Sequence, residues 1–340
     1  MIAGRPPNPG MLGDRTPLCT VNRRQDENPP AANRAGAPAR AGRWARARTI
    51  GAAAALALVV WRVGTGAFAD GLRSVDGRAL AAAMVIGVVT TACSAWRWTV
   101  VARLHDLRLS FPAALAAYYR SMFLNLTLPG GIVGDVHRGV SHGRTAGTAG
   151  RGLLAVAWER GIGQVVQIAV TIAVLLVLPS PVHAFMPFVV VGAVAAAVAV
   201  VMARGRRGTA VTAARMTRWE ALGVTTASLL AVLGYAGMFV IAARAAGIAA
   251  PMSRMMPLAL LAVTAMVLPS IAGWGPREGV TAWAFGAAGL GVGAGVSAAV
   301  VYGVMALAAS LPGAVVLAAG WVDSAGSLRA FGKRGGAVDA

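Results

Sequence analysis

The chain has 340 residues, 57% of them hydrophobic and only 13% charged, more apolar side chain than a soluble core of that length can bury, so a water-soluble globular fold is excluded. Its net charge of +19 would suit nucleic acid, but the arginines flank apolar segments and form no aromatic-interleaved basic patch, so they read as a membrane-topology signal. The 43 glycines suit closely packed membrane helices, and the short alternating segments of an outer-membrane barrel are missing.

Residues 1–48, rich in Pro, Gly, Ala, Asn and Arg, read as a disordered basic tail. The first apolar run starts only after Arg48, too late for a secretory signal, so it is expected to be a retained span. Apolar stretches at 49–63, 79–102, 152–178, 185–203, 219–243 and 294–320 mostly approach the roughly 20 residues that a bilayer core demands. Two further stretches are interrupted. Arg120, Asn125 and Pro129-Gly130-Gly131 break 112–134, and Pro269, Gly273, Gly275, Pro276, Arg277 and Glu278 break 255–290. Residues 321–340 form a short second tail.

Positive charge marks the cytoplasmic side of short loops. Arg103 and Arg108 precede the first interrupted stretch and Arg138, Arg144 and Arg151 follow it, so both of its ends are expected on the cytoplasmic face. The cluster Arg204, Arg206, Arg207, Arg215 and Arg218 anchors a later loop on the same side, and Arg329, Lys333 and Arg334 place the carboxyl end there too. Only Arg73, Arg78, Arg244 and Arg254 fall outside. The expected fold is therefore an all-α polytopic membrane bundle with six full spans, two re-entrant hairpins and both termini cytoplasmic. One hairpin enters from each face, the pattern of an inverted internal repeat meeting near the midplane. The alternative, two Pro-kinked spans in place of the hairpins, gives eight crossings with the same termini.

Polar residues recur on apolar helices. Thr90, Ser94 and Arg97 share one face of the stretch 79–102; Arg160, Gln164, Gln167 and Thr171 share one face of 152–178, with Glu159 beside them. Ionisable groups at membrane depth normally face the bundle interior and pair. Glu159 with Arg160 is one structural pairing open to them, and Arg97 is close enough to its helix end to snorkel. Asn125, Pro129, Gly130, Gly131, Gly134, Asp135 and Arg138 concentrate flexible backbone and charge where the first hairpin ends, a setting for a phosphate-bearing headgroup with Arg120 and Arg138 as charge partners. The run Leu268-Pro269 to Gly273, Gly275 and Glu278 echoes it in the second half.

These runs, with Glu159-Arg160 between them, resemble the flippase-like membrane domain of lysylphosphatidylglycerol synthases over residues 49–320. The family is similar in its Asn, Leu-Pro, Gly-Gly-Asp and Arg run, in a Glu-Arg on a span, and in a later Pro, Gly-Gly-x-Gly and Glu run. The chain departs from it at Gly134, single beside Asp135, at Trp274 between the later glycines, and at Tyr302, where the family often carries an arginine. The resemblance implies the stand-alone form, since only about twenty residues follow the last span, too few for the soluble synthase domain of bifunctional relatives.

The expected function is a flippase-like transporter in a bacterial plasma membrane, moving a phospholipid or polyprenyl-phosphate-linked lipid between leaflets. The alternative is a non-transporting partner of a membrane glycosyltransferase, or a lipid-carrier-binding protein. Candidate lipid-binding residues are Arg120, Asn125, Pro129, Gly130, Gly131, Asp135, Arg138, Glu159, Arg160, Pro269, Gly273, Gly275 and Glu278. An enzyme is not expected: there is no His-Glu-x-x-His zinc helix and no convincing nucleophile with a base. No metal or cofactor is expected either, because His105, His137, His142 and His183 lack ligand spacing. Cys19 and Cys93 are expected as free thiols, and the partners as membrane lipid, a second copy or a membrane enzyme, not nucleic acid.

Overall fold

A computed structural model describes residues 73–128, 131–145, 147, 149–178, 180, 215–267 and 274–335, with side chains as far as Ala319. The tail, the stretches 49–63 and 185–203, Arg204, Arg206 and Arg207, and Cys19, Pro129, Gly130, Pro269 and Gly273 lie outside the described residues.

The described chain forms eight α-helices and no strand: α1 (Gly77–Leu104), α2 (Phe111–Thr127), α3 (Val133–Thr145), α4 (Ala149–Val177), α5 (Arg218–Ala245), α6 (Met252–Ala265), α7 (Pro276–Ala287) and α8 (Val292–Gly335). Helices α1, α4, α5 and the Val292–Ala319 part of α8 are long and apolar enough to cross a membrane, matching four of the six expected spans. Val85, Val165, Leu233 and Val315 stay more than half exposed, an outer apolar surface suited to lipid rather than water.

Local chemistry sets the helix ends. Asp76 caps α1 by accepting the Ala79 N–H at 2.7 Å. Thr217 and Glu220 cap α5 reciprocally. Helix α2 stops at Thr127 because Leu128 precedes a proline and takes an extended ψ of 147°. Helix α7 starts on Pro276, behind Gly275, whose φ of +116° suits glycine and strains any other residue.

Helices α2 and α3 pack side by side as a hairpin, and so do α6 and α7. The first hairpin leaves from and returns to one end of the bundle: Leu107, just before α2, clusters with Ala102 of α1 and Ala155 near the start of α4. The start of α5 lies at that same end, since Arg215 Nη1 donates to the Leu104 carbonyl at 3.1 Å and Arg103 lies 3.5 Å from Glu220.

The return limb corrects one expectation. Hydropathy closed the first interrupted stretch at 134, with Arg138 in a cytoplasmic loop; instead Val133–Thr145 is a helix and Arg138 is buried at 1% exposure. A polar helix can sit inside a bundle when protein partners satisfy it, and hydropathy does not register those partners. Arg144, in the last turn of this helix, and Arg151, beyond it, are exposed.

The packing repeats between halves. When α1 to α4 are exchanged in order for α5 to α8, the scheme maps onto itself: α3 on α4 becomes α7 on α8, α2 on α8 becomes α6 on α4, α1 on α4 becomes α5 on α8, and α1 on α5 is its own counterpart. Each half is thus a long helix, a short pair and a long helix.

Candidate functional site

Where the first hairpin meets α1 and α4, five charges alternate in sign. Arg97 donates to Glu159 Oε1 from Nε at 3.0 Å and Nη2 at 2.5 Å, and from Nη1 to Ser228 at 3.0 Å. Arg138 donates to the other oxygen of Glu159 at 2.6 Å and to Asp135 Oδ1 at 3.0 Å. Arg160 completes the row, donating to Asp135 Oδ2 at 2.6 Å. Ser121 and Asn125 also donate to Asp135, and the Asn125 side-chain oxygen Oδ1 accepts the Gly134 N–H at 2.8 Å, tying the limbs of the hairpin together.

The row corrects both simple pairings read from sequence. Glu159 does not pair with its neighbour Arg160: Arg97 and Arg138 take its two oxygens, and Arg160 reaches Asp135 instead. Arg97 does not snorkel; it is 6% exposed and joined to Glu159. Glu159 is fully buried, and its charge is sustained by the two guanidiniums that engage both of its oxygens, with the Tyr118 hydroxyl donating to Oε1 at 3.4 Å. Trp98 and Tyr118 complete the setting, their ring centres 4.6 and 4.4 Å from the Arg138 guanidinium carbon.

A smaller charge group starts α7. Arg277 pairs with its neighbour Glu278, whose other oxygen accepts the Gly275 N–H at 2.7 Å. Arg277 also lies over Tyr302 of α8 at 5.0 Å and Trp274 at 5.7 Å. Both halves therefore carry a short helix with a buried arginine held by a carboxylate and set against one Trp and one Tyr.

Between the two groups lies a cavity of about 180 Å³, room for on the order of ten waters. Its polar lining comprises Thr90, Tyr118, Asn125, Arg160, Gln164, Gln167, Tyr235, Arg277 and Tyr302, and Gly131 and Pro276 border it from the two hairpins. Among the described residues, Arg160 and Arg277 are the only charged side chains in this lining; Asp135 and Glu278 stand behind them. The five-charge row holds three guanidiniums against two carboxylates, and its end member Arg160, 41% exposed, is the one that reaches the cavity. Positive potential is thus concentrated at the wall, where it favours an anion.

Of the candidates read from sequence, Asn125, Gly131 and Arg160 line this cavity. Asp135, Arg138, Glu159, Gly275 and Glu278 support the residues around it. Arg120 is half-buried, does not line it, and has its Nε without a hydrogen-bond partner among the described residues. The candidate set omits Thr90, Tyr118, Gln164, Gln167, Tyr235, Arg277 and Tyr302. For Gln164 and Gln167 the signal was present in the polar stripe of α4. For Arg277 it was adjacency to Glu278, and for Tyr302 an aromatic hydroxyl in an otherwise apolar run. Tyr235 has no such signal.

A family profile described as the lysylphosphatidylglycerol synthase TM region matches residues 47–313. Comparison with curated proteins and with solved structures gives no significant match.

Proposed function

The chain belongs to the lysylphosphatidylglycerol synthase transmembrane family, and from that premise we propose that it moves a lipid with a phosphate-bearing headgroup, a phospholipid or a polyprenyl-phosphate-linked lipid, between the leaflets of a bacterial plasma membrane. The observation that carries this reading is the interior cavity walled by Arg160 and Arg277, with no carboxylate among the described residues that line it. Guanidinium forks match phosphate oxygens, and a low-dielectric wall strengthens that attraction, while the acyl chains stay in the surrounding lipid. The protein acts as a transporter rather than an enzyme.

In this reading α2–α3 and α6–α7 are re-entrant hairpins entering from opposite faces. With six crossings the halves are inverted repeats, and their matching packing schemes support that arrangement. Alternating access would follow from one half taking up the arrangement of the other around a central headgroup site. The end of the bundle bearing Arg103, Arg108, Arg215 and Arg218 is the cytoplasmic one.

The test is exchange of a fluorescent anionic lipid in proteoliposomes, read by quenching of outer-leaflet headgroups. The wild-type chain should exchange lipid well above empty vesicles. Arg160→Ala should lower the rate about tenfold or more, as expected for losing a charge-assisted contact. Wild-type exchange equal to that of empty vesicles would overturn the proposal.

A further inference from the structure

The main cavity has a side chamber of about 50 Å³ between α1, α4 and α5. The two share Tyr118, Arg160, Gln164, Gln167 and Tyr235, and the chamber's lining continues from them to Arg97 and Ser228. Gln167 is 8% exposed, and its Nε2 has no hydrogen-bond partner among the described residues; neither has Gln164 Oε1 or Arg160 Nε. Buried polar atoms are rarely left unpartnered, so these await a ligand or water. Whichever way each amide is turned, it offers both a donor and an acceptor.

The charged walls of this chamber are guanidiniums, Arg97 and Arg160, and its other polar walls are amides and hydroxyls. A hydroxyl group both donates and accepts, so it satisfies amides in either orientation. An ammonium only donates, and here it would sit beside two guanidiniums of a row in which three arginines outnumber two carboxylates, with little water to screen the excess positive charge.

We propose that the side chamber takes a neutral, hydroxyl-bearing substituent of the phosphate, so that the site selects an anionic polyol phosphodiester lipid and rejects a headgroup carrying an ammonium. The inference rests on the reading that the main cavity holds a lipid phosphate. It adds which substituent that phosphate bears, and it sets the chain's preference against the aminoacylated lipid after which the family is named. Discrimination comes from a repulsive element, the two guanidiniums, as much as from the attractive one.

The experiment is a lipid titration of the full chain followed by native mass spectrometry. The probes are phosphatidylglycerol, phosphatidic acid, lysyl-phosphatidylglycerol, a polyprenyl-phosphoryl-hexose and zwitterionic phosphatidylcholine. Phosphatidylglycerol should bind at least about tenfold more tightly than its lysyl ester and about threefold more tightly than phosphatidic acid, which lacks the diol. Gln164→Leu should bring the ratio of phosphatidylglycerol to phosphatidic acid affinity toward one, and a ratio taken within one protein cancels any general loss of folded material. The hexose lipid should also outbind phosphatidic acid, and its rank against phosphatidylglycerol tells which kind of lipid supplies the polyol. Lysyl-phosphatidylglycerol binding as tightly as phosphatidylglycerol, or a ratio unmoved by Gln164→Leu, would overturn the inference while leaving the phosphate reading intact. Anionic lipids binding no better than phosphatidylcholine would remove both.

Discussion

Glu159 and Arg160 are neighbours in the chain with opposite duties. Glu159 has no exposed surface and neutralises two buried arginines at once, whereas Arg160 is the partly exposed end of the row. Glu159→Gln would leave Arg97 and Arg138 buried with one carboxylate, Asp135, between three guanidiniums. Removing one partner from a buried pair costs about 3–5 kcal/mol, so thermal unfolding in detergent should show a large drop. Arg160→Ala should cost under about 2 kcal/mol, because Asp135 keeps Arg138, Ser121 and Asn125 as donors. Equal stability losses in the two variants would contradict the division between a supporting charge and a cavity-facing one. The sequence showed that these residues belong in the interior, since the stripes on α1 and α4 repeat at helical spacing. It could not show that Glu159 turns toward Arg97 and Arg138, because those partners come from residues 62 and 21 positions away along the chain.

At the scale of elements, close approach and helix capping position the hairpins. A Cβ on Gly134 would lie 2.1 Å from the Ser121 carbonyl oxygen, so α3 and α2 touch through bare backbone. Gly134→Ala must push the limbs apart and should lower stability by about 1–3 kcal/mol. Gly237, inside α5 with open space around its Cβ position, is the control: Gly237→Ala should be neutral or stabilising by about 0.5–1 kcal/mol. Chemical unfolding of the two variants side by side checks this, and similar behaviour would sink the packing argument.

The hairpins also differ in how they are tied. Helix α3 is joined to α4 by Asp135–Arg160 and Arg138–Glu159, whereas the Arg277–Glu278 pair lies within α7. Backbone amides of α7 should therefore exchange with deuterium faster than those of α3, and the reverse order would count against α6–α7 as the looser limb. The four long helices were legible from hydropathy and the two breaks from Pro and Gly. Helix α3 was not, because its apolar content is low and its stability comes from partners on α1, α2 and α4.

At the scale of the molecule, the described helices follow one plan twice, a long helix, a hairpin and a long helix, around a shared polar cavity. That plan was partly legible in the two echoing Leu-Pro and Gly runs, but the correspondence of packing between halves is a property of contacts rather than of residue types. The family match over 47–313 spans both halves together. If the hairpins reach the cavity from opposite faces, each must begin and end on its own side of the membrane. The direct measurement is labelling of single cysteines, introduced in place of the exposed residues Arg108, Arg144, Ala249 and Ala287 in a chain whose Cys19 and Cys93 are replaced by alanine, with a membrane-impermeant maleimide in oriented vesicles. Positions 108 and 144 should react from the cytoplasmic face only, and 249 and 287 from the opposite face only. Reaction of 108 and 144 from different faces would make the first hairpin a crossing pair and contradict the account.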